Sequence, residues 1–171
     1  MDTQEHIRNA FNRMEAVFTK KPGAGAATNV MRARVVDGLR CETQEDDWRF
    51  CIDMPVEGGG SGAGPTPGVH GRAALASCLA IGYSICLARA GVTVRSLEVE
   101  VAIDFDKRGL IGMDNVYPGY LGVRHTLYLE ADAPQEQLDA AIAETRRNSP
   151  YLHVFSDPQP LQGSVVYGPR T

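Results

Sequence analysis

Residues 64–91 read GPTPGVHGRAALASCLAIGYSICLARAG. From Ala73 to Ala88 the run carries no charge, and Ser77, Tyr83 and Ser84 are its only polar side chains. A helix that is apolar nearly all round is buried on several sides, because a surface helix needs a polar face. The stretch therefore predicts a central core helix, opened after Pro67-Gly68 and stopped at Gly91. Ala74, Cys78, Gly82, Cys86 and Ala90 recur every four residues, so one face of this helix has little bulk and lets another backbone come close. The run is a little short for a membrane span and contains Gly82 and Ser84, so no membrane partner is read from it.

The rest of the composition fits one domain with a substantial core: 171 residues, with an ordinary hydrophobic share. A formal net charge of -4 with scattered basic residues argues against a nucleic-acid partner. The polar, acidic start Met1-Asp2-Thr3-Gln4-Glu5 lacks the pattern of a secretory signal, which places the expectation in a reducing cytoplasm. None of the four cysteines, Cys41, Cys51, Cys78 and Cys86, stands in a C-x-x-C pair. Cys78 and Cys86 lie eight apart on one helix, roughly 12 Å along the axis at ~1.5 Å per residue. A disulfide needs Cα atoms within about 7 Å. Cys41 and Cys51 are expected on two strands of one hairpin as small apolar residues. His6 and His153 lack spaced ligand partners, so neither a metal nor another cofactor is expected.

Thr3 to Lys20 has the partial apolar stripe of a helix, followed by the stop signal Lys21-Pro22-Gly23 and a linker to Thr28. Val30 to Glu42 and Trp48 to Met54 predict a hairpin turned by Gln44-Glu45-Asp46-Asp47. The loop from Pro55 to Gly68 contains Gly58-Gly59-Gly60-Ser61-Gly62-Ala63, a formal G-x-G-x-x-A. That motif must open a helix directly, and Pro65 and Pro67 intervene, so nucleotide binding is not read there. Leu97 to Phe105 alternates apolar with mostly acidic residues, a half-buried strand. After a turn region from Lys107 to Gly122, Val123, Leu127 and Leu129 mark a second strand, with His125 on their inner parity. Asp132-Ala133-Pro134-Gln135 opens an amphipathic helix that closes at Arg146-Arg147-Asn148. Ser149-Pro150 caps a short helix to Phe155, and Leu161 to Tyr167 reads as a last strand.

Cys78 is the residue whose setting raises the question of chemistry. A thiolate is favoured by a helix N-terminus or a nearby cation. Cys78 lies more than two turns into its helix, where the dipole has faded. On the residues alone an inert core cysteine and a nucleophile both stand open, with the inert one favoured. His70 is two turns away on the same helix and cannot bond to Cys78 directly; Arg72 has the same difficulty.

The segment GPTPGVHGRAALASCLAIGYSICLARAG followed by VRSLEVEV resembles the OsmC/Ohr superfamily of osmotically inducible and organic hydroperoxide resistance proteins. The lead-in DMPVEGGG, the later strand pair, the helix APQEQLDAAIAE and the element SPYLHVFSDPQPL follow in family order, over roughly residues 30–168. The resemblance implies an α+β fold, antiparallel sheets around a buried central helix, in an intertwined homodimer. It divides the chain into an arm and linker, 1–28, and an OsmC-like domain, 29–171. It also implies that the small-residue stripe serves close packing within the interwoven dimer. Catalytic members reduce organic hydroperoxides with a cysteine on the central helix, and the match Ala76-Ser77-Cys78 assigns that role to Cys78. The pocket is expected to suit small apolar peroxides.

The chain departs from the active members at three places. Their second, resolving cysteine precedes a proline, where this chain has Ser149-Pro150. Their loop glutamate follows a proline, where this chain has Gly68 after Pro67. Their strand arginine falls near Asp37, flanked by Arg34 and Arg40, of which Arg40 is chosen. Two readings follow. One is single-cysteine hydroperoxide reduction through Cys78 and Arg40 with an external thiol reductant. The other is a non-catalytic dimer that binds a small apolar ligand or serves as a scaffold.

Overall fold

The structure, a computed structural model, describes residues 3–168. In chain order its elements are α1 (Thr3–Lys20), β1 (Arg32–Asp37), β2 (Arg40–Glu45), β3 (Trp48–Ile52), α2 (Pro67–Arg89) and β4 (Thr93–Phe105). The short α3 (Lys107–Leu110), β5 (Tyr120–Asp132), α4 (Gln135–Asn148) and α5 (Pro150–Ser156) follow. The strands form two antiparallel sheets, β1-β2-β3 and β4-β5.

Helix α2 is the core helix its composition predicts. Leu75, Leu79, Tyr83 and Leu87 are buried along it. They pack against the inner face of β4-β5, where Leu97 pairs with Leu129 and Val99 with Leu127, and against Leu138 and Ile142 of α4. Burying a leucine side chain fully is worth roughly 1.5–3 kcal/mol, so these three alone contribute on the order of several kcal/mol. The outward residues of β4, Glu98 and Glu100, stay in solvent, as period-two alternation requires. By length and a mean hydropathy of 1.5, α2 would also pass for a membrane span. Here it is wrapped by β4, α4, α1 and α5.

The small-residue face of α2 accepts α4 of the same chain. A Cβ added at Gly82 would stand 2.9 Å from Thr145 Cγ2. Thr145 is buried, with Oγ1 2.9 Å from Ala141 O and 3.3 Å from Gly82 O. At Gly82 the stripe therefore lets a neighbouring helix of its own chain approach.

The first hairpin holds one more strand than its sequence suggests. Gly38, at φ +53°, breaks the run after Val30 into β1 and β2. A second two-residue turn at Asp46-Asp47, with Asp46 at φ 48°, joins β2 to β3. Pairing puts Ala33, Val35, Cys41, Thr43, Trp48, Phe50 and Ile52 on one face, and Arg34, Glu42, Arg49 and Cys51 on the other. Cys41 and Cys51 thus point to opposite faces and cannot bridge. The apolar face has little cover within its own chain: Val35 is 65% and Trp48 72% exposed.

The glycine-rich loop between β3 and α2 is built around a carboxylate. Asp53, 1% exposed, accepts hydrogen bonds from the amides of Met54 (2.8 Å), Ser61 (3.0 Å) and Ala63 (3.1 Å) and from the Ser61 hydroxyl (2.6 Å). These donors, Ser61 Oγ first, hold its pKa at about 2 against the usual 3.8. A Cβ at Gly60 would overlap Met54 O, and one at Gly64 would overlap Cys51 O. Space, not turn geometry, demands glycine at those two positions.

Two expectations for the second half change. Asp132 is the last residue of β5, paired with Thr93, so it does not cap α4; Pro134 stands at that helix start without a side-chain cap. Residues 161–167 pair with no strand among the described residues, although their alternation reads as one. Leu161 is 96% and Tyr167 93% exposed.

Candidate active site around Cys78

Cys78 lies three turns into α2 and is half-buried on the small-residue face. Helix α4 runs antiparallel over that face, so Thr145 sits at Gly82 and, one turn further along each helix, Ser149 reaches Cys78. Cys78 Sγ and Ser149 Oγ are 3.4 Å apart. Ser149 is 4% exposed and caps α5, its Oγ accepting the Leu152 amide hydrogen at 3.3 Å. The Ser-Pro signal predicted this cap; the contact with a residue 71 positions earlier was not legible from spacing.

Beside the sulfur lies a cavity of about 680 Å³, walled by Phe11 of α1, Ile81 and Ile85 of α2, and Tyr151 of α5. Its charged lining residues are Arg89 and Glu144. Arg89 is engaged by Glu15 of α1 at 2.5 Å and by Glu144 of α4 at 3.7 Å, an ion cluster that ties three helices together. A second cavity, of about 500 Å³, lies beyond Phe11 and shares Ile81 and Ile85 as wall residues. Sequence reasoning left α1 outside the site. The signal that could have found it is the Ile7–Phe11 stripe, which faces the otherwise apolar α2.

Arg40 stands at the start of β2, paired with Asp37, and does not line the Cys78 cavity. Its Nε is buried and meets no hydrogen-bond acceptor among the described residues. Arg34 is committed instead to Glu42, at 3.3 Å. Gly68, in the first turn of α2, lies beside Arg72, whose Nη1 would be 3.4 Å from an added Cβ. His70 is half-buried with its ring edge-on to Phe50 at 6.0 Å, and is absent from the cavity lining. His125 faces inward as its parity predicts, and burial, with the charge of Arg146, lowers its pKa below 6.5. Among the described residues no group of three His, Cys, Asp or Glu side chains is placed to hold a metal ion.

Residues 58–162 match the family model of the OsmC-like proteins. The chain belongs to that family. The OsmC-like fold is also that of solved structures at low identity. An OsmC-like protein from Mycoplasma pneumoniae superposes with a TM-score of 0.59 at 15% identity, over 75% of this chain and 87% of that one. An organic hydroperoxide resistance protein from Elizabethkingia anophelis gives 0.55 at 16%, over 77% and 89%. An OsmC-like hydroperoxide resistance protein from Jannaschia sp. gives 0.53 at 19%, over 83% and 96%. No curated protein matches this chain in sequence.

Proposed function

We propose that this OsmC-like protein reduces organic hydroperoxides with Cys78 as its one reacting cysteine and an external thiol as reductant. The observation that carries this reading is the half-buried sulfur of Cys78 at the wall of an apolar cavity, 3.4 Å from a serine. The hydroperoxide resistance proteins of the same fold support it. In the reaction the Cys78 thiolate attacks one peroxide oxygen, the S–O bond forms and the O–O bond breaks. Sulfur gives up two electrons, and the leaving alkoxide takes a proton to become the alcohol. The resulting sulfenic acid cannot close a disulfide on Ser149. One external thiol displaces water from it to give a mixed disulfide, and a second releases Cys78 with an external disulfide as product.

The working unit in this proposal is a homodimer. Two bare surfaces support it: the apolar face of β1-β2-β3, and the extended segment 161–167, which pairs with no strand among the described residues. Arg40 of the partner subunit is the cation assigned to the Cys78 thiolate, since Arg40 Nε is buried without an acceptor among the described residues while Arg34 is already paired. The protein is placed in the cytoplasm, with neither nucleic acid nor membrane as partner.

Mass spectrometry after one equivalent of cumene hydroperoxide, wild type beside Cys78→Ala, tests the chemistry. A sulfenic acid adduct at Cys78 is the expected product. An unmodified Cys78 under those conditions would leave the alternative, a non-catalytic dimer that uses the cavity for a small apolar ligand. Light scattering at micromolar concentration tests the dimer separately, and a monomer there would refute it.

A further inference from the structure

The serine beside Cys78 has a defined hydrogen-bonding role. A hydroxyl has one proton to donate and two lone pairs to accept with. Ser149 already uses its oxygen as acceptor for the Leu152 amide, at the cap of α5. Its proton remains: in the 3.4 Å contact with Cys78 Sγ either atom can donate while the thiol is protonated, but only the hydroxyl can donate to a thiolate. In that arrangement the hydroxyl favours a thiolate, because a hydrogen bond to the charged form stabilises it. At 4% exposure little water competes for the proton. The other charged groups on the cavity wall are Arg89 of α2 and Glu144 of α4. They are engaged with each other and with Glu15 of α1, so they offer the sulfur no free charge.

We infer that Ser149 is a catalytic residue: its hydroxyl donates to Cys78 Sγ, favouring the thiolate before attack and the sulfenate oxygen after it. This inference rests on the proposed peroxide chemistry of Cys78. It goes beyond it by giving a positive role to the residue that stands in place of a second sulfur. The helix cap and the sulfur donor are one hydroxyl, so the start of α5 holds the donor in place.

The test separates the two roles by substitution. Ser149→Gly keeps most of the cap, since glycine costs only a few tenths of a kcal/mol relative to serine there. It removes the donor. Ser149→Thr keeps both the cap and the hydroxyl. Second-order alkylation of Cys78 by iodoacetamide is measured at pH 7 and at pH 10, in a background where the other three cysteines are replaced by alanine. Losing a hydrogen bond to a charged group lowers the thiolate fraction by about tenfold. The remaining thiolate is more nucleophilic, by about threefold on a Brønsted slope near 0.5, so the net loss at pH 7 is about threefold. Ser149→Thr should restore most of it. At pH 10, where either protein has a larger share of thiolate, the gap between Ser149→Gly and wild type should narrow or close.

Equal rates at pH 7 in wild type and Ser149→Gly, with both folded by circular dichroism, would overturn the donor role. An equal slowing at both pH values would overturn it too, since that pattern reports altered access. Neither result touches the proposed function, which fails only if wild-type Cys78 itself resists peroxide. A third variant reads the same juxtaposition by a different signal. Ser149→Cys should form a disulfide between Cys78 and the introduced thiol on peroxide addition, the peroxide leaving as alcohol and water, detected as a loss of two hydrogens by mass and of both free thiols by titration. If it stays at the sulfenic acid, the two side chains do not meet in solution and the inference falls.

Discussion

Gly82→Ala tests how α4 is held on α2, and hence how Ser149 is brought to Cys78. Alanine is favoured over glycine in a helix interior by about 0.5–1 kcal/mol. Taken alone, that predicts a more stable protein. The new methyl, however, would lie 2.9 Å from Thr145 Cγ2, well inside contact distance. Thr145 has little freedom to yield. It is 1% exposed, β-branched, and tied through Oγ1 to Ala141 O at 2.9 Å. Overpacking of this kind costs about 1–3 kcal/mol. The clash therefore outweighs the propensity gain, and the expected result is a net loss of about 1 kcal/mol. For a domain of this size that lowers Tm by about 2–4 °C at fixed protein concentration. The decisive control is Thr145→Ser, which keeps the hydroxyl and removes the offending Cγ2. Adding Gly82→Ala to Thr145→Ser should leave stability unchanged or raise it, because the new methyl occupies the vacated space. Thermal unfolding of the four proteins completes the cycle. A Tm for Gly82→Ala at or above wild type would refute the clash. So would an equal loss in both backgrounds.

Three further outcomes follow from particular groups. Asp53 ionises in the folded protein at about 2 but at 3.8 when unfolded, so its carboxylate stabilises the fold above about pH 4 and that contribution is lost as pH falls toward 2. Asp53→Asn should be less stable at pH 7 and show a flatter acid limb between about pH 4 and 2 in urea titrations; a parallel limb would contradict the assignment. His125, whose pKa burial lowers, takes up its proton more readily unfolded than folded, so it weakens the fold as pH drops through and below 6.5. His125→Gln should remove part of that slope between about pH 7 and 5, and an unchanged slope would count against it. Under the proposed peroxide chemistry, Phe11→Ala should join the two cavities, raising kcat/KM for a bulky aryl hydroperoxide relative to tert-butyl hydroperoxide by about threefold or more; an unchanged ratio would remove α1 from the site.

The sequence carried the fold wherever one segment's polarity pattern settled its burial. The uncharged run Ala73–Ala88 pointed to a core helix, and the acidic alternation of Leu97–Phe105 to a half-buried strand, and both are present. Ser149-Pro150 announced a cap that the structure contains. Where the deciding partner lies far along the chain, the same reading failed. The stripe through Gly82 promised a close backbone approach, but not that Thr145 would be the group to make it. Val30 to Glu42 read as one strand because the pairing of Val35 with Cys41 across Gly38 has no local signature. Segment 161–167 has the alternation of a strand, yet it pairs with none among the described residues. Chemistry was harder still. The resemblance singled out Cys78, but nothing local named its neighbours: Ser149 arrives from the far end of α4, and Phe11 from a helix near the start of the chain.

The Asp53 loop reverses the usual meaning of a glycine-rich tract. Such segments are commonly pliant, since each glycine adds backbone freedom. Between Gly58 and Gly64 the glycines let backbone and carboxylate draw in until Ser61, Gly62 and Ala63 all give up their amide hydrogens to acceptors within the loop. Amides so engaged exchange with solvent only when the surrounding structure opens. Deuterium uptake should therefore be slow across Ser61–Ala63 and faster across the exposed Gly23–Thr28, where only a single solvent-facing turn engages the amides of Ala24 and Ala26, giving the entry to α2 the stiffness of a buckle.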